Sequence, residues 1–497
     1  MDHSWPWPWD NINANTLPGA PPEAMQFGSM LQRLMYFSRH ANPKFGPVKG
    51  NKQDVKDGFY RMFLNPEDCL QLAALLPQYE GEPQLVGIPM SCTMGWAQSP
   101  PSFCAMSETV CDLVNQGLRD GHLLRTPLHR LSEEAEALDD TDPGMAPRDL
   151  EPETLEIDAR LKSLPASGTL SQESVTPVPP SNRPFQKPIA YTDVYVDDFV
   201  QLGQGSANKL NAIRNCFFHT LDTVLRAPEP GESRNEAVSL KKLRKGDGSW
   251  HTRKTIVGWT LDFIRQTLEL PVHRKEELIS LFESLRDRKR VSERRWRKAL
   301  GKLRFIARGV PGSKGLLSAL QLALNRASDG RIRITNNVRH HLHTFEALVA
   351  NLCSRPTHLA EIVPEDPALV GTTDGSGLGL GGIFVDEELQ PSVWRYLLPD
   401  DIRRSLVSAD NPTGTVTNSD FEQAARQGQL CVMAANYDVA YCTIENGTDN
   451  TPALGRQDKG AVSKPGAAAL LCNEACAHQR LHRYCPGGGS LSLAGLT

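Results

Sequence analysis

Residues 189–203 read IAYTDVYVDDFVQLG, two runs rich in Val, Tyr and Phe on either side of the adjacent aspartates Asp197 and Asp198. Residues of that kind favour strand, and two such runs parted by a short polar break specify a hairpin. An acidic pair inside this pattern has two explanations. Either the turn is simply solvated and acidic, or the hairpin lifts carboxylates to a cation at its tip. Taken alone, the solvated turn is the commoner arrangement. The second explanation requires another carboxylate from elsewhere in the chain.

With 497 residues the chain has room for about two to four domains. No run of about 18 apolar residues occurs, so no membrane-spanning helix and no membrane partner are expected. The start, MDHSWPWPWD, lacks the basic-then-apolar order of a secretory signal. Eleven cysteines dispersed over this length fit a reducing compartment, and an intracellular location, cytoplasm or nucleus, is expected. The net charge of −4 conceals segregation: residues 241–314 hold 21 Lys and Arg against 8 Asp and Glu, whereas residues 133–158 hold 11 Asp and Glu. A basic block of that kind suits a polyanion such as nucleic acid, although a solvated helical face would carry the same charge.

Residues 1–21 are Pro- and Trp-rich without a period and are expected to form a disordered lead-in. Met25, Phe27, Met30, Leu31, Leu34 and Met35 then recur near helical spacing. A strand and a Gly/Pro-rich turn lead to a helix starting near Pro101. Residues 126–188 are acidic and hold ten prolines, with too little apolar surface to offset ordering entropy, so disorder is expected there too. Beyond the hairpin the pattern predicts a helix over 208–226, strand-like pieces around SLKKL and KTIVGWTLDF, and helices from about His273 to Asn325. A further unit begins near Pro364, where strands flank the turn GSGLGLGG. A phosphate-binding loop needs a helix directly after it, and IFVD reads as strand, so that function is excluded.

Nucleotidyl transfer to a 3′-hydroxyl is served by two divalent ions about 3.5–4 Å apart. Hard ions such as Mg²⁺ take oxygen ligands, so a metal-bearing hairpin needs a further Asp on an earlier strand. KQDVKDGFYRMFL supplies Asp54, followed after three residues by the small Gly58 and the aromatic Phe59. With these residues the sequence resembles the reverse transcriptases of retrotransposons and retroviruses. Their Tyr-X-Asp-Asp hairpin is matched by Tyr195-Val196-Asp197-Asp198, and MGWAQSPPSF, lying between the two, resembles their nucleotide- and template-contacting turn. KTIVGWTLD, with Gly258 and Trp259, is similar to the strand that grips the primer.

The resemblance implies an α+β fold: a right-hand polymerase palm with a helical thumb, followed by an α/β ribonuclease H-like domain. It implies Asp54 and Asp197 as principal ligands of two Mg²⁺ ions, with Asp198 more peripheral. Phe59 would be the steric gate that excludes a 2′-hydroxyl, and Met94, Gly95 and Trp96 would contact the incoming nucleotide. A buried strand aromatic or a surface acid is the plain alternative for each. Asp57 reads as a helix N-terminal charge rather than a ligand. Arg294, Arg295, Arg297, Lys298, Lys302, Arg304 and Arg308 mark the thumb, with Trp296, Leu300, Leu303 and Ile306 as its buried stripe. The implied partners are RNA template, DNA primer, RNA–DNA hybrid and deoxynucleoside triphosphates.

The order Asp374 on a strand, Glu422 on a helix capped by Ser419 or Asp420, and Asp449 after a later strand resembles ribonuclease H, whose metal-bound carboxylates cut the RNA of a hybrid. The division that follows is lead-in 1–21, partial fingers and palm 22–125, insertion 126–188, palm continued 189–270, helical thumb or connection 271–345, ribonuclease H-like domain 364–485 and flexible tail 486–497. Two departures stand out. The ending PGGGSLSLAGLT offers no fourth carboxylate, and the 53 residues before Asp54 leave little room for finger strands. The reading is therefore a retrotransposon RNA-directed DNA polymerase clipped at both ends, its ribonuclease H impaired. One rival is an inactive relic that only binds nucleic acid; another is a metal-dependent nuclease with an unrelated first half, against which the motif order argues. CNEACAHQRLHRYC has zinc-ligand residue types, but its i,i+4 pairs point to partly different helix faces.

Overall fold

In the computed structural model, which describes residues 29–120, 127–139, 178–229, 235–459 and 466–487, strands Ala190–Tyr195 and Asp198–Gly203 form a hairpin closed by Val196 and Asp197. The described residues fall into two units, Met1–Met145 with Pro184–Val257, and Ala146–Arg183 with Gly258–Thr497. The first is built around the hairpin. Strand Lys49–Asp54 pairs antiparallel with Asp198–Gly203 and completes a three-stranded sheet with that strand in the middle. Every residue of the middle strand after Asp198 is buried, so the one-sided alternation of a half-exposed strand is absent.

Helices Ser99–Arg119 and Ala207–Leu225 supply the core against this sheet: Phe103, Val110 and Val114 from one, Phe217, Phe218 and Leu221 from the other, packed with Val194 and Phe199. Ser206 caps the second helix by accepting from the Lys209 amide. Helix Met30–Arg39 is tied to the hairpin by Arg33, whose guanidinium donates to both oxygens of the buried Asp193 at 2.8 and 2.6 Å.

Two local expectations need correction. SLKKL is a helical turn, Leu240–Leu243, because residues 237–239 have already spent their extended pairing on Asp54 and Lys56, and Leu243 must turn inward. Residues 127–139, assigned above to the disordered insertion, include helix Ser132–Glu136 with Leu131 and Ala135 in the core. Charge holds this piece in place: Arg130 bridges Asp222 and Glu236, and Asp139 pairs with the buried Arg214. The lead-in, residues 140–177 of the insertion and most of the tail lie outside the described residues.

In the second unit, strands Trp259–Asp262, Thr267–Glu269 and Thr357–His358 run antiparallel in that order. Trp259 is fully buried with its ring stacked on Phe305. Helix Glu293–Ile306 buries Trp296, Leu300, Leu303 and Ile306 and turns Arg294, Arg295, Arg297, Lys298 and Arg304 to solvent. A five-stranded sheet follows, ordered Pro391–Leu397, Gly379–Val385, Pro367–Gly375, Thr443–Gly447, Cys485–Pro486; its first three strands are antiparallel and the rest parallel. Helix Asn418–Asn436 packs on one face, placing Leu430 and Met433 against Leu369, Phe384 and Ile444. Arg480, fully buried on helix Ala467–His482, donates to Asn351 at 2.6 Å and Thr357 at 2.9 Å and faces Glu361, which Arg355 also holds. Among the described residues no helix is long and apolar enough to cross a membrane.

Candidate functional sites

The antiparallel register sets Asp54 directly opposite Asp198, and the Val55 amide donates to the Asp197 carbonyl at 3.2 Å. Carboxylates about 140 residues apart in sequence are thereby gathered at the hairpin tip. Val196 adopts a φ of 58°, a region that costs a β-branched residue free energy and tightens the turn beneath the pair. Burial raises the Asp54 pKa, opposed by the Lys242 hydrogen bond and reinforced by the charges of Asp197 and Asp198. Burial likewise raises that of Asp197, with Asp198 adding to it.

Two ammonium groups answer this concentration of negative charge. Lys242 Nζ donates to Asp54 Oδ1 at 2.5 Å. Lys52 Nζ stands 3.6 Å from Asp198 Oδ1 and 3.6 Å from Asp247. Asp198 Oδ1 is buried and has no hydrogen-bond partner among the described residues. Sequence reading missed both lysines. Lys52 was legible, since it stands two residues before Asp54 and so shares its strand face; Lys242 was read only as part of the basic block.

Phe59 lies in the short helix Gly58–Arg61, edge-on to Phe103 with ring centres 5.3 Å apart. It also packs on the cluster of Leu72, Cys92 and Trp96, so the Asp54 segment and the 94–96 turn share one apolar contact. Gly95 turns at a φ of 90°, burying Trp96 and leaving Met94 exposed. Asp57 precedes the short helix at a φ of 55° and makes no side-chain cap.

A second carboxylate group forms at one end of the five-stranded sheet. A Cβ at Gly375 would fall 2.5 Å from the Phe421 carbonyl carbon, and this close approach seats the helix start on the strand end beside Asp374. Glu422 is buried, and that burial raises its pKa, with the charges of Asp374 and Asp449 contributing. The Thr448 hydroxyl donates to Glu422 Oε2 at 3.3 Å. Asp374 is exposed at the end of its strand, and Asp449 follows strand Thr443–Gly447 by two residues. The helix is capped by Thr417, whose amide and hydroxyl both reach Asp420 Oδ2 at 2.8 Å; Ser419 and Asp420 already lie inside the helix.

In kind, both groups suit a hard divalent cation, being carboxylate oxygens, one of which in the first group, Asp198 Oδ1, is buried without a hydrogen bond. In arrangement they do not yet converge. Among the described residues no three His, Cys, Asp or Glu side chains stand placed to hold a metal ion. In the first group the Lys242 ammonium already occupies Asp54 Oδ1.

No family model matches the sequence, and no curated protein does. Solved structures that match include the foamy viral protease-reverse transcriptase dRH with double-stranded DNA, at 14% identity over 90% of this chain and 56% of that chain, with a TM-score of 0.40. The foamy viral protease-reverse transcriptase with RNA/DNA hybrid matches at 13% identity over 90% and 44%, with a TM-score of 0.38. The same viral protein with double-stranded DNA matches at 12% identity over 82% and 61%, with a TM-score of 0.36. The chain spans about half the length of the solved structures it matches.

Proposed function

We propose that this chain is an RNA-directed DNA polymerase of retroelement type, with a palm carrying Asp54, Asp197 and Asp198 and a ribonuclease H-like domain carrying Asp374, Glu422 and Asp449. The observation that carries the reading is the register of Asp54 against Asp198, with Asp197 in the turn that joins strand Ala190–Tyr195 to strand Asp198–Gly203. A solvated acidic turn would have no reason to sit against a third carboxylate at the cost of raised pKa values. In this reading the three aspartates hold two Mg²⁺ ions, which supply activation of the 3′-hydroxyl and charge neutralisation of the leaving phosphates. Phe59, fixed by Phe103 and the Trp96 cluster, presents the ring that excludes a 2′-hydroxyl. Arg294, Arg295 and Lys298 face solvent for phosphate contact.

Primer extension on an RNA template with Mg²⁺ tests the polymerase. Extension should occur in the wild type and fall at least about a hundredfold in Asp197→Asn, the equivalent of roughly 2.7 kcal/mol of transition-state stabilisation. Cleavage of a labelled RNA–DNA hybrid, with Asp374→Asn as control, tests the second domain. A different reading, a relic that binds template–primer without extending it, is favoured by the lysines paired with Asp54 and Asp198. Binding with no extension in either Mg²⁺ or Mn²⁺ would decide for the relic.

A further inference from the structure

Lys242 Nζ and a divalent cation compete for the same oxygen. A Mg²⁺ ion bound to Asp54 Oδ1 would stand about 2.0–2.1 Å from it, while the ammonium hydrogen-bonded there is 2.5 Å away. A divalent ion and an ammonium group on one oxygen repel each other, so each weakens the other's hold on it. The backbone around Lys242 is fixed: the Ser239 amide donates to the Asp54 carbonyl at 2.9 Å, and the Lys56 amide to the Ala237 carbonyl at 2.8 Å. The side chain is not, being 46% exposed and free to swing outward on its four-carbon stem. Lys52 is held differently, because Asp247 gives it a second carboxylate at the same 3.6 Å.

We propose that Lys242 is a built-in competitor for the cation at Asp54, a latch that neutralises the carboxylates without metal and is expelled into solvent when a divalent ion binds. The inference rests on the polymerase reading only in taking Asp54 and Asp197 as metal ligands. It goes further in giving Lys242 control over how much ion is needed to load them. Removing the ammonium therefore tightens metal binding, the opposite of what loss of a merely structural ion pair would do.

The test is Mn²⁺ binding to the full chain, read as free Mn²⁺ by electron paramagnetic resonance, in an Asp374→Asn background that weakens the second carboxylate group. Lys242→Met should bind Mn²⁺ at least about tenfold more tightly, while the exposed neighbour substitution Lys241→Met leaves affinity unchanged. Equal or weaker binding by Lys242→Met overturns the latch. If Mn²⁺ still binds the parent and is lost in Asp197→Asn, the metal site survives that failure; if no variant binds Mn²⁺, both readings fall. A second measurement needs no substitution at Lys242: acetylation of the parent by a small amine-reactive ester, read by mass spectrometry. Lys242 should react several-fold faster with Mn²⁺ present, and an unchanged rate overturns the proposal.

Discussion

His478 shows how placement alone changes a residue's chemistry. Burial, with neighbouring His482, pushes its pKa down to about 4, and its Nδ1 lies 3.2 Å from the Tyr484 hydroxyl. The ring stays neutral in the fold at pH values where an unfolded imidazole, ordinarily near 6.5, takes up a proton. The unfolded chain thus binds more protons between those values, so stability falls as pH drops from about 6.5 toward 4. Relative to His478→Gln, the wild type should lose about 1–2 kcal/mol between pH 6.5 and 4.5, measured by urea denaturation of the two proteins in parallel. A gap that stays constant with pH would show that the ring is solvated. Glu422 follows the opposite sign. Its raised pKa means that burial of the charge costs stability above the raised value and costs nothing below the unfolded one.

Among the elements, the short helix Gly58–Arg61 and helix Ser99–Arg119 meet in close contact near the hairpin. A Cβ at Gly58 would stand 2.7 Å from Phe103 Cζ, and Phe103 is fully buried with no room to yield. Gly58→Ala should destabilise by about 1–3 kcal/mol through overpacking. Shortening the ring should relieve the clash, so Gly58→Ala combined with Phe103→Leu should cost less than the two single substitutions together. Additive costs in that double-mutant cycle would mean the two elements do not bear on each other. Because Phe59 also rests on Phe103, the same pair of substitutions should shift selection between deoxy- and ribonucleotides in the extension assay if the ring is the gate.

At the scale of the whole molecule the segregated charge sorts by what each cation touches. Arg297 is bound to Glu293 at 2.5 Å and Lys302 to Glu277 at 3.5 Å, while Arg294, Arg295 and Lys298 are exposed on the same helix. Template–primer affinity, followed by fluorescence anisotropy from 50 to 200 mM salt, should fall steeply through counterion release. Substituting Arg294, Arg295 or Lys298 by Gln should each lower the log–log slope by about 1. Arg297→Gln and Lys302→Gln should lower it less, since their charges are already partly answered. Equal slopes in all five would reduce the face to ordinary solvation.

What the sequence determined by itself was local. Two runs rich in Val, Tyr and Phe on either side of Asp197 and Asp198 specified the hairpin, the spacing of Trp296, Leu300, Leu303 and Ile306 specified a helix with a basic outer face, and the apolar runs flanking GSGLGLGG specified two strands, although the turn itself is only residues 376–378 and Gly379–Gly382 already belong to the second strand. These signals are periodicities of a few residues, and backbone geometry alone reads them out. Tertiary structure decided the rest. Which residues meet across 140 positions depends on strand register, and a slip of one residue would have turned Asp54 to the other face. The ordering of residues 127–139 depended on partners such as Asp222, Glu236 and Arg214, which no local window contains. Lys242 reaches Asp54 only because residues 237–239 pair with the strand that bears it, a contact fixed by folding free energy summed over the whole unit and not by any property of a lysine.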